Sequence, residues 1–417
     1  MTADATYDGA DKTPAFGALA GVRVIDFTQM LAGPYCTMML GDQGAEIIKI
    51  EPLHGDTTRY VGPFIEKDAA HEFGGYFHSV NRNKKSLTLN LKSDEARKVV
   101  LELVRGADIV VENYRVGVMD KFGLSYEELI KVNPKLVYCS IRGYGDPRLG
   151  ESPYADWPAY DVTAQALGGM MGITGPAPDQ PMKIGPGVGD IIPAMTAAFG
   201  ILAALHKATA SGKGQLVDIA MYDAVLAVCE RIVYQHSYTG GVPHPEGNSH
   251  PLLSPFGLFP AKDGWVSLAC PNDRFWGVLC QEIGEADLIE HADFATNFER
   301  AACASEVYDR VCTWTKPLTK EEMSEKLGGK LPFAPVNGAD DIFADPHTEA
   351  RNMLANVEIP GTGETIKLAN TPVKMSMTQG GVKSRSPRLG EHNAALLGEV
   401  GLSVEEIEQL KTDGVTT

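Results

Sequence analysis

VRVIDF (Val22–Phe27) and AEIIKIE (Ala45–Glu51), joined by TQMLAGPYCTMMLGDQG, decide the fold of this chain. Both runs are short and β-branched, and the segment between them has the length of a helix, so the three read as strand, helix, strand. The same alternation continues through SLTLNL (86–91), SDEARKVVLELVRG (93–106), ADIVVEN (107–113) and KLVYCSIRG (135–143). Ser93 with acidic residues in the next turn, and Gly106 at the far end, bracket one crossover helix; Asn133-Pro134 closes another before the strand at Leu136. Alternation of this kind specifies a parallel sheet of the α/β class.

Further along, the stretch 150–189 is rich in Gly and Pro, and GQLVDIAM (214–221) reads as a strand after the turn SGKG. Beyond Gly240 the texture changes. The loop TGGVPHPEGNSHP leads into FGLFPA (256–261) and GWVSLAC (264–270), then into helical segments ending near Gly329, which predicts a separate small domain at 240–330. A hairpin is expected around Pro360-Gly-Thr-Gly363, followed by a charged terminal helix.

Composition narrows the function. The chain has 417 residues, 44% of them apolar, enough for two or three domains with large cores. A formal charge of −17, from 54 acidic against 37 basic residues, argues against nucleic acid as a partner. Seven cysteines without CxxC spacing suggest reduced core residues of a cytoplasmic protein, with neither a disulfide framework nor a zinc site. The ten histidines form no metal-type pair, His244 and His250 reading as surface residues, so no metal is expected. Residues 1–18 read as a flexible tail without a hydrophobic leader. The apolar stretch Ile191–Leu205 contains Pro193 and reads as too short to cross a bilayer, so no membrane segment is expected.

A parallel sheet invites a nicotinamide cofactor, but the GxGxxG fingerprint is missing after the first strand, where IDFTQMLAGPYC has a single glycine. The stretch KIGPGVGD (Lys183–Asp190) is more informative. Gly185, Gly187 and Gly189 are free to adopt positive φ, and they deliver a lone carboxylate, Asp190, to the start of an apolar helix expected over 191–207. Asp190 is there either an N-cap or a displayed nucleophile. NRNKKS (Asn81–Ser86) gathers three cations before a strand, as a phosphate contact or as a solvated loop. Met38-Met39 and Met170-Met171 read as core filler.

Taken in order, GVRVIDFTQMLAGPYCTMMLGDQGAEIIKIE (21–51), NRNKKSLTLNLK (81–92), ADIVVENYRVG (107–117), YDVTAQALGGMMGITG (160–175), GVGD (187–190), SGKGQLVDIAMYDAV (211–225), PVKMS (372–376) and PRLGEH (387–392) resemble the class III CoA-transferases, the group of formyl-CoA and carnitine CoA-transferases, nearly end to end. The resemblance implies a Rossmann-like large domain from both chain ends (19–230 and 335–417), the small domain inserted between them, and an interlocked homodimer. It implies Asp190 as the catalytic group, overturning the N-cap reading. It places coenzyme A near Leu31 and Ala32, Leu89 and Lys92, Asn113-Tyr114-Arg115 and Lys121, with CoA as part of the substrate and no tightly bound cofactor. Formyl-CoA transferases carry an arginine after KIE where this chain has Pro52, so phosphate contact is expected to fall to Arg82 or Arg115.

A carboxylate of ordinary pKa is ionised at neutral pH and attacks a thioester without a partner base, forming first a mixed anhydride and then an aspartyl-CoA thioester. Both intermediates hydrolyse, so water must be kept out. Gly187 and Gly189, and the pair Gly240-Gly241, are candidates to close over the site or to donate N–H groups, the latter pair being equally readable as a surface loop. The α-methylacyl-CoA racemases share the fold, but Tyr160 stands before Asp161 where their histidine is expected, and Asn272 where their glutamate aligns. A noncatalytic acyl-CoA-binding paralogue is a further alternative, at odds with the presence of Asp190. Leu31 in place of a glutamine, and 240–251 in place of a tetraglycine loop, disfavour oxalate. The expected reaction moves CoA from a short-chain dicarboxylic thioester such as succinyl-CoA to a carboxylic acid, or shifts it within one dicarboxylic acid.

Overall fold

The computed structural model describes residues 16–417, so most of the expected tail lies outside the described residues. Six strands, β1 (Arg23–Asp26), β2 (Glu46–Glu51), β3 (Lys84–Thr88), β4 (Ile109–Glu112), β5 (Val137–Arg142) and β6 (Leu216–Ala220), form one sheet in the order β3-β2-β1-β4-β5-β6. All pairings are parallel, with Val24 opposite Ile47 on one side and Ile109 on the other. Parallel strands are covered on both faces, which is why β4 and β5 are buried along their whole length and are mostly apolar. From β1 the chain winds outward to β2 and β3, then returns to β4 on the other side. Outside the carboxyl ends of β1 and β4 such a reversal leaves a crevice, the usual ligand position in sheets of this kind.

The helix Asp94–Arg105 forms as expected: Ser93 accepts a hydrogen bond from the N–H of Ala96 at 3.1 Å, and Gly106 ends it. Its buried face of Val99, Val100, Leu103 and Val104 packs into a core with Ile25, Ile48 and Leu87, which Leu396, Leu397 and Ile407 from the C-terminal helices complete.

Neither expectation for 81–86 holds for Arg82 and Lys84, which are buried, the strand beginning earlier, at Lys84; Lys85 stays half exposed beside Glu46. Arg82 forks onto Asp42 at 2.9 and 2.6 Å, and fully buried Lys84 reaches Asp26, Thr37 and Asn81 at 2.8–3.0 Å. Lys49 is likewise sealed against Asp56 at 3.1 Å and donates to the Thr28 carbonyl at 2.6 Å. Taking one partner from a buried pair leaves an uncompensated charge. Lys49→Met is therefore expected to lower stability by about 3–5 kcal/mol in urea unfolding.

The chain divides into two compact units. One holds the described residues through Gly168, then Gly185–Glu230 and Glu349–Thr417; the other holds Gly169–Ile184 and Arg231–Thr348, so 169–184 and 335–348, expected in the large domain, fall in the second unit. Within the second unit, β7 (Phe256–Ala261), β8 (Gly264–Ala269) and β9 (Phe333–Pro335) make an antiparallel sheet. Phe259, Val266 and Leu268 of that sheet pack on Trp276, Leu279, Val311 and Met323 of its helices. The expected hairpin, β10 (Leu354–Ile359) with β11 (Glu364–Ala369), belongs to the first unit.

The apolar helix runs over Val188–Ser211, 24 residues, beyond the expected 191–207 and with Pro193 inside it. By length and composition it is able to cross a membrane, which corrects the expectation that the segment is too short. One face, with Ala194, Ala197, Ile201 and Ala204, is buried; Met195, Phe199 and Leu202 are exposed.

Candidate active site

A cavity of about 520 Å³ opens at the switch point between β1 and β4. Gln29 and Met30 from the loop after β1, Ala32 at the start of the next helix, the Asn113–Val116 segment after β4, and Arg142 and Gly143 at the end of β5 line it, together with Ala155, residues 157–161, Tyr76 and Asp190.

The walls are held by polar contacts spanning distant parts of the chain. Asn113 Oδ1 accepts from the N–H of Gln29 at 2.9 Å while its Nδ2 donates to the Gln29 carbonyl at 2.7 Å, tying the two switch-point loops together. The Gln29 amide also donates to the Tyr114 hydroxyl at 3.2 Å. Met30 sits at φ +69°, a left-handed conformation that a non-glycine residue keeps only when its surroundings hold it.

Asp190 is the third residue of the Val188–Ser211 helix, and the N-cap position belongs to Gly187. Among the described residues no donor reaches the Asp190 side chain, so it caps nothing. Its neighbour does the pinning: the N–H of Gly189 donates to Asp161 Oδ1 at 2.8 Å, and Gln165 Nε2 holds both Asp161 oxygens at 3.0 Å. Burial first, and then the Asp161 charge, push the Asp190 carboxyl up to about 7. The expectation of an ordinary pKa is thus corrected: near neutral pH the protonated and ionised forms coexist. The Tyr76 phenol, facing the same cavity, is pushed up by burial and then by the charge of Asp190.

The glycines of the turn serve a purpose other than the one expected. None of Gly185, Gly187 and Gly189 has positive φ, Gly187 lying at −73°. A Cβ on Gly189 would stand 2.3 Å from the Asp161 carbonyl oxygen, and one on Gly187 would stand 2.9 Å from Leu31 Cδ2. At Gly189 close approach, not backbone freedom, demands a glycine. Gly189→Ala should therefore destabilise the chain by about 1–3 kcal/mol and, by moving Asp190, cost on the order of a hundredfold in kcat. Thermal unfolding and steady-state kinetics on the one variant check both.

Of the residues singled out in the sequence, Ala32, Asn113, Tyr114, Arg115, Tyr160 and Asp190 meet at the cavity. Arg115 is exposed and pairs with no acid among the described residues, whereas Arg142 is engaged by Glu112 at 2.6 Å and by Asp146. Leu31 lines a neighbouring apolar cavity of about 430 Å³ with Ile191 and Met195. Lys92 and Lys121 are exposed and outside the lining. Two expectations are corrected: Arg82 is spent on Asp42, and Leu89 is a core side chain with no exposure, so neither side chain is available to a phosphate or pantetheine. Gly240, at φ +68°, and Gly241 follow the helix Glu230–Thr239 in the second unit. Asn272, the position aligned with the racemase glutamate, caps a helix by accepting from Phe275 N at 3.2 Å. Gln29 and Tyr76 gave no signal in the sequence. Asp161 stood out only beside Tyr160.

Sheet order and crevice define the class first: an α/β enzyme of the doubly wound parallel type. Residues 19–393 match the model of CoA-transferase family III, and the chain belongs to that family as a class III CoA-transferase, an enzyme that takes a CoA thioester as substrate. It is 47% identical to succinyl-CoA:mesaconate CoA-transferase of Haloarcula hispanica, over 93% of this chain and 97% of that protein. It is 38% identical to succinate–glutarate CoA-transferase of Agrobacterium fabrum, over 94% and 97% respectively. Among solved structures, a CAIB/BAIF family protein from Brucella suis superposes with a TM-score of 0.82 at 36% identity, covering 92% of this chain and all of that one. The expected family and the parallel α/β architecture are thereby borne out.

Proposed function

We propose that this enzyme moves CoA from succinyl-CoA to a short dicarboxylic acid, with Asp190 as the covalent carrier. The observation that carries the reading is a carboxylate that meets no donor among the described residues, set in a switch-point cavity and held there by Gly189 and Asp161. The donor follows from the relatives: proteins named for succinyl-CoA with mesaconate, D-citramalate or L-malate are 33–47% identical along nearly the whole chain. These names describe transfer between two acids, which favours exchange over an intramolecular shift.

Asp190 attacks the thioester carbonyl, forming an acyl anhydride and expelling the CoA thiolate. The thiolate then attacks the aspartyl carbonyl, giving aspartyl-CoA and releasing the donor acid. An acceptor carboxylate displaces the thiolate again, and the thiolate finally takes the acceptor acyl group, restoring Asp190. Every step exchanges one acyl bond for another, so no net proton is consumed. The ionised fraction of Asp190 begins the cycle, and the cavity walls keep water from the two intermediates. Arg115 is the cation placed to meet CoA phosphate, with Ala32 and the Asn113-Tyr114 backbone along the pantetheine. Two copies are proposed to pair, which would cover the exposed Met195, Phe199 and Leu202. Seven thiols, six of them buried, suit a reducing cytoplasm.

Purified protein incubated with succinyl-CoA and a panel including mesaconate, citramalate, malate and glutarate should yield new thioesters by mass spectrometry. Hydrolysis alone, with no acceptor converted, would refute transfer.

A further inference from the structure

We propose that the indole of Trp157 is the platform on which the adenine of coenzyme A stacks, an assignment that rests on the CoA-transfer reading above. Trp157 lines the cavity that also holds Asp190 and Arg115, yet 56% of it is exposed. A large apolar ring left open inside a ligand cavity is surface awaiting a partner.

The ring is braced. Tyr154 lies 4.7 Å from it between centroids, and Tyr144, nearly perpendicular at 88°, lies 6.5 Å away; Tyr144 and Tyr154 also meet edge to face at 5.6 Å. The segment carrying it is anchored at both sides. Trp157 N donates to the Tyr154 carbonyl at 2.8 Å, and Ala159 packs so closely on Gly143 that a Cβ there would stand 2.3 Å from it. A platform fixed before binding loses little entropy when a base settles on it.

The ligand class follows from what sits beside it. Arg115, which pairs with no acid among the described residues, lies in the same cavity of a chain with net charge −17. A flat π surface and a free cation match the two parts of an adenosine phosphate, its base and its anionic oxygens. Neither a small dicarboxylic acyl group nor the pantetheine arm offers an aromatic ring to stack.

Initial-rate kinetics with succinyl-CoA and with succinyl-pantetheine, which lacks the nucleotide, separate the possibilities in wild-type enzyme, Trp157→Ala and Trp157→Phe. Trp157→Ala should raise KM for succinyl-CoA about ten- to a hundredfold, the loss of one base–aromatic stack. Its kinetics with succinyl-pantetheine should match those of wild type, which also shows that the variant is folded. Trp157→Phe should stay near wild type, and AMP should inhibit the wild type competitively but not the alanine variant. An unchanged KM for succinyl-CoA in Trp157→Ala, or an equal loss with both thioesters, overturns the stacking assignment while leaving transfer intact. Should the wild type exchange no acyl group at all, the transfer reading falls. Quenching of tryptophan fluorescence by CoA, and its loss in Trp157→Phe, then decides the platform by itself: quenching that persists in Trp157→Phe overturns it.

Discussion

Asp190→Ala protein is expected to lose at least about a thousandfold in turnover while keeping its fold, because the reaction has no other route once the attacking oxygen is gone. The same change should stabilise the protein in alkaline solution. Burial holds the Asp190 carboxyl at about 7, well above the ordinary carboxylate range, so between those two values the folded chain binds a proton that the unfolded chain has released. The stability linked to that proton is fully present below the unfolded value and is lost as pH rises through about 7. Compared with wild type, Asp190→Asn should therefore melt higher at about pH 8 and almost identically at about pH 4, the usual trade of stability for a working group. Mass spectrometry of protein quenched during turnover should find the acyl or CoA adduct on the peptide carrying Asp190. Wild-type rates in Asp190→Ala would end the covalent proposal.

The pH dependence of kcat/KM carries the second large effect. Only ionised Asp190 attacks, so the rate should climb with pH to a plateau and stand at half its limit near about 7. Asp161→Asn keeps an oxygen to accept from the N–H of Gly189 but removes the charge that opposes ionisation of Asp190. The midpoint should move toward acid, making the variant faster than wild type at about pH 6 if the geometry is preserved. It should not fall to the ordinary carboxylate range, because burial, the larger cause, remains. A midpoint that stays in place or moves upward would show that another group governs the profile.

Much of the scaffold was legible because strands of a parallel sheet bury both faces and so appear as short, predominantly apolar and β-branched runs. VRVIDF, AEIIKIE, ADIVVEN and KLVYCSIRG all became strands of one sheet, and Ser93 with Gly106 marked a helix to the residue. The cations of NRNKKS were misread for a definite reason. Their partners Asp26, Asp42 and Glu46 lie 39–58 residues away, and a run of charge looks the same whether it faces water or carboxylates. KIGPGVGD was rightly singled out, but its Gly189 is demanded by the backbone of Asp161, which no local pattern contains.

What the amino-acid order determined by itself was local: which segments are strands, where a helix is capped, that no glycine-rich dinucleotide turn follows the first strand, and that a carboxylate ends the Gly-rich stretch. Tertiary structure alone decided which of those groups share an environment. Side-chain burial and charge pairing depend on distance in space, and the sheet order that lays β4 beside β1 brings Asn113 to Gln29, while helix packing brings Gly189 to Asp161 and exposes Trp157 in the same cavity.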